Sequence, residues 1–175
     1  MTMVLRLAST ADLPALRALM ARAIAELQDG FLDPAEIEAS KAVMGLDTQL
    51  IADGCYFLAE IDGQLAGCGG WSRRATLYGG DHSAGRDARM LDPATDPARV
   101  RAMYTHPDHT RRGVGRAVLA ACQDAARAAG FVRVELMATL AGVPLYTAAG
   151  FVPIETISDA SGGMPVPLVR MGKDL

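Results

Sequence analysis

His106-Pro107-Asp108-His109-Thr110-Arg111-Arg112-Gly113-Val114-Gly115-Arg116 is the stretch on which the fold turns. Before it, Arg99–Thr105 reads as a strand that His106-Pro107-Asp108 ends. After it, Gly113–Ala129 reads as a long alanine-rich helix closed by Gly130, a glycine in the position that ends helices. The two glycines therefore sit where a strand's exit loop becomes a helix. Lacking a Cβ, they let a ligand approach the main chain closely. The first turn of the helix offers N–H groups without acceptors and the positive end of the helix dipole. Arg111, Arg112 and Arg116 add positive field. The combination suits a diphosphate.

Downstream, Phe131–Ala138 reads as a strand, Val143–Ala149 as a short helix closed by Gly150, and Phe151–Ile157 and Val166–Met171 as two further strands. Upstream, Met3–Ala8 alternates as an opening strand. Leu13, Leu16, Leu19, Met20, Ala23, Ile24 and Leu27 recur at helical spacing, which predicts an amphipathic helix over 11–28. Ser9 or Thr10 can cap it. A second helix is expected from Asp33-Pro34 to about Met44. Cys55–Ile61 and Gln64–Trp71 flank Asp62-Gly63, a strong hairpin signal. Gly67, Gly69 and Gly70 in the second strand predict a bulge or a close backbone approach. Arg73 to about Pro97 has neither periodicity, and a connection this long is usually functional or mobile.

A chain of 175 residues is expected to form one domain, 1–175, able to bury about 70% of its unfolded surface without a metal or disulfide staple. The net charge of −3 argues against a nucleic-acid binder, whose affinity comes largely from Lys and Arg on phosphates. Charged residues interrupt every apolar stretch well short of the ~18 residues a membrane span needs. No signal-peptide pattern opens the chain. The three cysteines, Cys55, Cys68 and Cys122, have neither zinc nor redox spacing and read as small buried thiols of a cytoplasmic protein. His82 and His106 have no companions at metal-ligand spacing, so no metal is expected.

Three readings of the glycine pair compete. An ordinary helix start with solvated arginines would show it. A dinucleotide fingerprint would place an acid about where Glu135 stands, but Val118 occupies the third glycine position. Residues 106–112 also separate the strand from the first glycine, where that turn is immediate. A P-loop is excluded because Gly-x-x-x-x-Gly-Lys-Ser/Thr is absent. The third reading fits more of the chain. His106–Leu119 resembles the acetyl-CoA pyrophosphate loop of the GNAT superfamily of N-acetyltransferases, Gln/Arg-x-x-Gly-x-Gly/Ala after a strand. Val143-Pro144-Leu145-Tyr146-Thr147-Ala148-Ala149-Gly150-Phe151 resembles the second half of that family, where Leu/Phe-Tyr precedes Gly-Phe. Two departures stand out. Thr110 holds the place usually taken by Gln or Arg, though its hydroxyl can donate to a phosphate. Leu140-Ala141-Gly142 replaces the Asn often found after the fifth strand, so a side-chain contact to the cofactor is expected to be missing.

The resemblance implies a mixed α/β fold: a mostly antiparallel sheet of six to seven strands with helices on both faces, splayed between the fourth and fifth. It implies acetyl-CoA as co-substrate, its pyrophosphate on the amides of Arg111, Arg112, Gly113, Val114, Gly115 and Arg116 and beside the hydroxyl of Thr110. The pantetheine arm would lie along Met103, Tyr104 and Thr105, with an N–H near Met103 or Tyr104 polarising the thioester carbonyl. Tyr146 matches the tyrosine that protonates the departing thiolate. The acceptor, a primary amine and more plausibly a small molecule than a protein, would attack directly. A non-catalytic acyl-CoA-binding module is the alternative, since no Glu stands on the fourth strand. Glu60, Asp81, His82 and Glu135 are candidate bases, none assigned. Trp71, Arg73 and Arg101, with Arg74 and Arg99 nearby, could hold a carboxylate or aromatic group of the acceptor; pairing of these arginines with Asp81, Asp87, Asp92 and Asp96 is the competing expectation. Dimers are common in that family, so a homodimer is possible.

Overall fold

The computed structural model describes residues 1–175. In chain order the elements are β1 (Met3–Leu7), α1 (Leu13–Glu26), α2 (Pro34–Ser40), α3 (Thr48–Ala52), β2 (Tyr56–Ile61), β3 (Gln64–Ser72), β4 (Ala98–Thr105), α4 (Val114–Ala128), β5 (Arg133–Thr139), α5 (Val143–Ala148), β6 (Val152–Asp159) and β7 (Val166–Asp174). The strands form one sheet in the order β1-β2-β3-β4-β5-β7-β6. Every pairing is antiparallel except β4 with β5. That pairing holds only at Ala98–Val134 and Arg99–Glu135, so the sheet splays beyond them, as expected.

Each face of the sheet carries a core. On one, Leu16, Leu19, Met20, Ala23 and Ile24 of α1 pack on Tyr56, Leu58, Cys68 and Tyr104. On the other, Val114, Val118, Leu119, Cys122 and Ala126 of α4 pack against strand residues including Ala59, Ala66, Val100, Val134 and Leu136. All three cysteines are buried and free. The glycines of β3 serve both purposes their sequence suggested. A Cβ at Gly69 would meet Val118 Cγ1 at 2.8 Å and collide with the Met103 sulfur, so α4 and β4 approach β3 closely only because these positions are bare. The register of β3 on β4 slips between Cys68 and Gly70, opposite Ala102, which takes φ +50. The Tyr56 hydroxyl donates to Ala102 O at 2.6 Å and holds this bulge in place.

Two expectations are corrected. The second helix ends at Ser40 rather than Met44. Its next carbonyls are taken by the long connection instead: Ser83 Oγ donates to Ala42 O at 2.6 Å, and His82 Nε2 lies 2.7 Å from Lys41 O. The short α3 was not anticipated. Five residues carry too little periodicity to register, although Asp47 caps them by accepting from Gln49 N at 3.1 Å. The connection over 73–97 folds back on itself, with Ala75 N donating to Arg89 O and Leu91 N to Arg73 O at 2.9 and 2.7 Å.

Candidate functional site

The turn after β4 is built for close approach. His106 N donates to Ala66 O at 2.8 Å, and a single 3-10 turn, Pro107–His109, follows. Arg111 and Gly113 both take the left-handed backbone, φ +60 and +81. Alternation of this kind turns successive N–H groups toward a common concavity. Gly113 is the N-cap of α4, and the first amide bonded back is Ala117, to Gly113 O at 3.0 Å. The amides of Val114, Gly115 and Arg116 ahead of it have no acceptor in the helix. No atom lies within 4 Å of a Cβ placed on Gly113, so the concavity is open there. Arg111, Arg112 and Arg116 are exposed. The one acid of the turn, Asp108, is engaged by Arg22 of α1 at 3.1 Å. The Thr110 hydroxyl is spent locally on Pro107 O at 3.4 Å. A dianionic group fits this corner; a cation does not.

A cleft lies in the splay between β4 and β5. Met103 and Tyr104 line it from β4, Leu136, Met137 and Thr139 from β5, and Tyr146 from α5. Past Arg99 the β5-facing edge of β4 has no ladder partner on that side, which leaves its main-chain groups for a ligand. Tyr146 is buried, stacked edge-on against Phe151 at 5.9 Å, with Gly142 making room for its ring. Burial pushes its phenol well above the ordinary tyrosine range. The shift favours the neutral phenol, which has a proton to donate.

The far end of the cleft crosses to the α2 face, where Val43, Met44, Leu77, Tyr78 and Leu168 close it. None of these positions was singled out by sequence. They are far apart in the chain, and an isolated apolar residue carries no signal of its own.

The grouping of Trp71, Arg73 and Arg101 as an acceptor pocket is corrected. Trp71 packs edge-on against Phe131 at 6.2 Å with Arg73 over its ring at 5.2 Å, and neither lines the cleft. Arg101 does line it, but its guanidinium is committed to Asp47 Oδ2 at 2.8 Å and to the main chain of Thr76 and Gly79. The reason is the Ala102 bulge. It breaks the expected alternation, so Met103 packs toward α4 while Arg101 faces the opposite side. The arginines pair with other acids than those expected: Arg74 with Asp53, Arg99 with Glu135, Arg101 and Arg86 with Asp47. The candidate bases are occupied as well. Glu60 binds Arg6 at 2.8 Å, Asp81 binds Thr48, His82 faces Lys41 O, and Glu135 is shared by Arg99 and Arg170.

Asp47 is 1% exposed and is shared by two arginines, Arg86 of the long connection and Arg101 of β4. Removing one partner of a buried ion pair leaves a charge without compensation. Asp47→Ala is expected to lower stability by about 3–5 kcal/mol, read from urea unfolding. A loss below about 1 kcal/mol would show that Arg101 needs no such partner.

A model of the acetyltransferase (GNAT) family matches residues 18–151. No curated protein matches the sequence. Among solved structures the chain is similar to a GCN5-related N-acetyltransferase from Rhodopseudomonas palustris, with a TM-score of 0.74 at 19% identity, over 100% of this chain and 97% of that one. It is similar to the PaiA N-acetyltransferase of Thermoplasma acidophilum solved with coenzyme A, with a TM-score of 0.69 at 15% identity, over 100% of both chains. A ribosomal-protein-alanine N-acetyltransferase from Brucella melitensis gives 0.64 at 21% identity, over 98% of this chain and 99% of that one. At these identities the likeness is one of fold.

Proposed function

This chain belongs to the GNAT acetyltransferase family, and from that premise we propose that residues 1–175 act as one domain moving an acetyl group from acetyl-CoA directly to a small-molecule primary amine. The observations that carry the reading are the open turn at the start of α4 and, between β4 and β5, a split in the sheet lined by a buried tyrosine. The coenzyme A complex of the similar Thermoplasma protein supports the choice of cofactor.

The residues present fit that co-substrate. The amides of residues 111–116 and the guanidinium groups of Arg111, Arg112 and Arg116 would hold its diphosphate. When bound, acetyl-CoA supplies an acetyl group activated as a thioester. The free edge of β4 at Met103 and Tyr104 would hold the pantetheine arm and donate an N–H to the carbonyl oxygen, where negative charge develops. Tyr146 would give its phenolic proton to the sulfur as the carbon–sulfur bond breaks. The amine nitrogen forms the new bond and loses one proton, so the balance is one amide and one thiol.

An acyl-enzyme is disfavoured by the chain itself. No cysteine lines the cleft, and burial raises all three thiols, Cys68 to about 12, far from the thiolate a nucleophile needs. Buried unpaired thiols also suit a reducing, cytoplasmic compartment. No helix is long and apolar enough to cross a membrane.

Two measurements test the reading. Saturating coenzyme A should raise the melting temperature of the protein by mass action. A thiol-detecting dye should then report CoA release that depends on added amine. A protein that neither binds coenzyme A nor releases it would overturn the proposal.

A further inference from the structure

The acceptor end of the cleft carries information that the cradle does not. Its wall is made by Val43, Met44, Leu77, Met137 and Leu168. Two of the polar groups that reach it, the Tyr78 hydroxyl and the Arg101 guanidinium, donate to other groups of the chain. The Tyr78 hydroxyl donates to Asp159 Oδ2 at 2.6 Å. The Tyr104 hydroxyl accepts from Gly45 N at 2.7 Å. The Arg101 guanidinium donates to Asp47, which Arg86 shares, and to the main-chain oxygens of Thr76 and Gly79. Of the residues that line the cleft, none is Asp, Glu, Lys or His.

We infer that the acceptor is a primary amine with an uncharged, apolar body, and that it reacts as the free base. This deepens the acetyltransferase reading and rests on it. A carboxylate on the acceptor would find one cation in this wall, Arg101, whose side chain is 2% exposed and already donates to Asp47 and to the carbonyls of Thr76 and Gly79. A second ammonium would find no carboxylate. The ammonium would be desolvated without compensation and the carboxylate with little, which costs more than an apolar contact returns. The same argument applies to the reacting nitrogen. No acidic side chain in the wall stabilises an ammonium or takes its proton, so the proton is lost to water before the amine is enclosed. The nitrogen then attacks the thioester carbon, the carbon–sulfur bond breaks, and Tyr146 protonates the sulfur. The second nitrogen proton leaves once the new bond has formed and restores the balance.

A neighbouring groove contains the opposite chemistry and provides the contrast. It lies between α1 and the segment around Gly45, with exposed Arg17 beside Asp81 and His82. An amino acid that acted as acceptor would have to place its carboxylate there, across Gly45, rather than in the cleft.

The test is an acceptor panel with acetyl-CoA at saturation: 2-phenylethylamine and hexylamine against glutamate, lysine and spermidine. The apolar monoamines should have kcat/KM at least about tenfold higher, because each rival introduces at least one charge with no uncommitted partner. For the apolar amines, kcat/KM should rise tenfold per pH unit below the amine's own pKa, as expected for a free-base nucleophile. Met44→Glu, at a half-buried position after α2, should lower turnover of 2-phenylethylamine and improve that of spermidine, with acetyl-CoA affinity unchanged. A protein that binds acetyl-CoA but prefers glutamate, lysine or spermidine overturns this inference and leaves the acetyltransferase reading standing. So does one that binds acetyl-CoA and turns over neither apolar amine. Failure to bind acetyl-CoA at all overturns that reading and this inference with it.

Discussion

Gly113→Val is expected to leave a folded protein whose affinity for acetyl-CoA is at least about a hundredfold weaker. Two effects act together. The position has φ +81, where an L side chain costs about 1–2 kcal/mol, so the amides at the start of α4 move from their alignment. The new side chain also projects into space that is otherwise empty, the space where a diphosphate would meet those amides. Gly63 is the matched control. It has the same φ of +81 in the turn between β2 and β3, and nothing lies within 4 Å of its Cβ position either. Gly63→Val should cost similar stability and leave affinity unchanged. Calorimetric titration of both variants separates strain from blockage. Wild-type affinity in Gly113→Val would remove the cradle from the mechanism.

Tyr146→Phe is expected to reduce kcat by about a hundredfold or more while acetyl-CoA binding stays within a few-fold of wild type. The ring's packing on Phe151 is retained in phenylalanine, so the substitution deletes the hydroxyl and little else. The sign of the pH dependence follows from burial. Desolvation disfavours the phenolate, so the folded pKa lies above the ordinary value near 10, and the acid form persists through that range. In wild type, kcat should therefore show no alkaline loss from this group below about pH 10. An unaltered kcat in Tyr146→Phe would show that the thiolate leaves without help from this residue.

Both predictions concern parts of the molecule that could be read along the chain. The arginine-flanked glycine pair lies within six residues of sequence, and its geometry follows from local rules: a glycine where φ must be positive, and a helix start whose amides lack acceptors. The short helix ended by Gly150 was legible for the same reason, whereas the packing of Tyr146 on Phe151 was not. The strand order needed more, but the hairpin at Asp62-Gly63 and the long helix between β4 and β5 already imply one antiparallel pair and one crossover.

What could not be read was the orientation of the β4 side chains and the identity of the residues facing the splay. Strict alternation would have placed Arg99, Arg101 and Met103 on one face. The left-handed Ala102, held by the Tyr56 hydroxyl, breaks that pattern. Arg101 looked like a free cation for a substrate because its partner, Asp47, is distant in sequence and caps a helix too short to detect. Trp71 looked like a binding aromatic and is a core residue.

The sequence by itself determined the glycine-bearing helix start after β4 and the family to which the chain belongs, because both rest on residues close together in the chain. Only the tertiary structure decided which side chains meet at the acceptor end of the cleft. There, residues near positions 43, 77, 137 and 168 converge as β4 and β5 part. Burial forces each charge at that end to take a partner from wherever in the chain one can reach it.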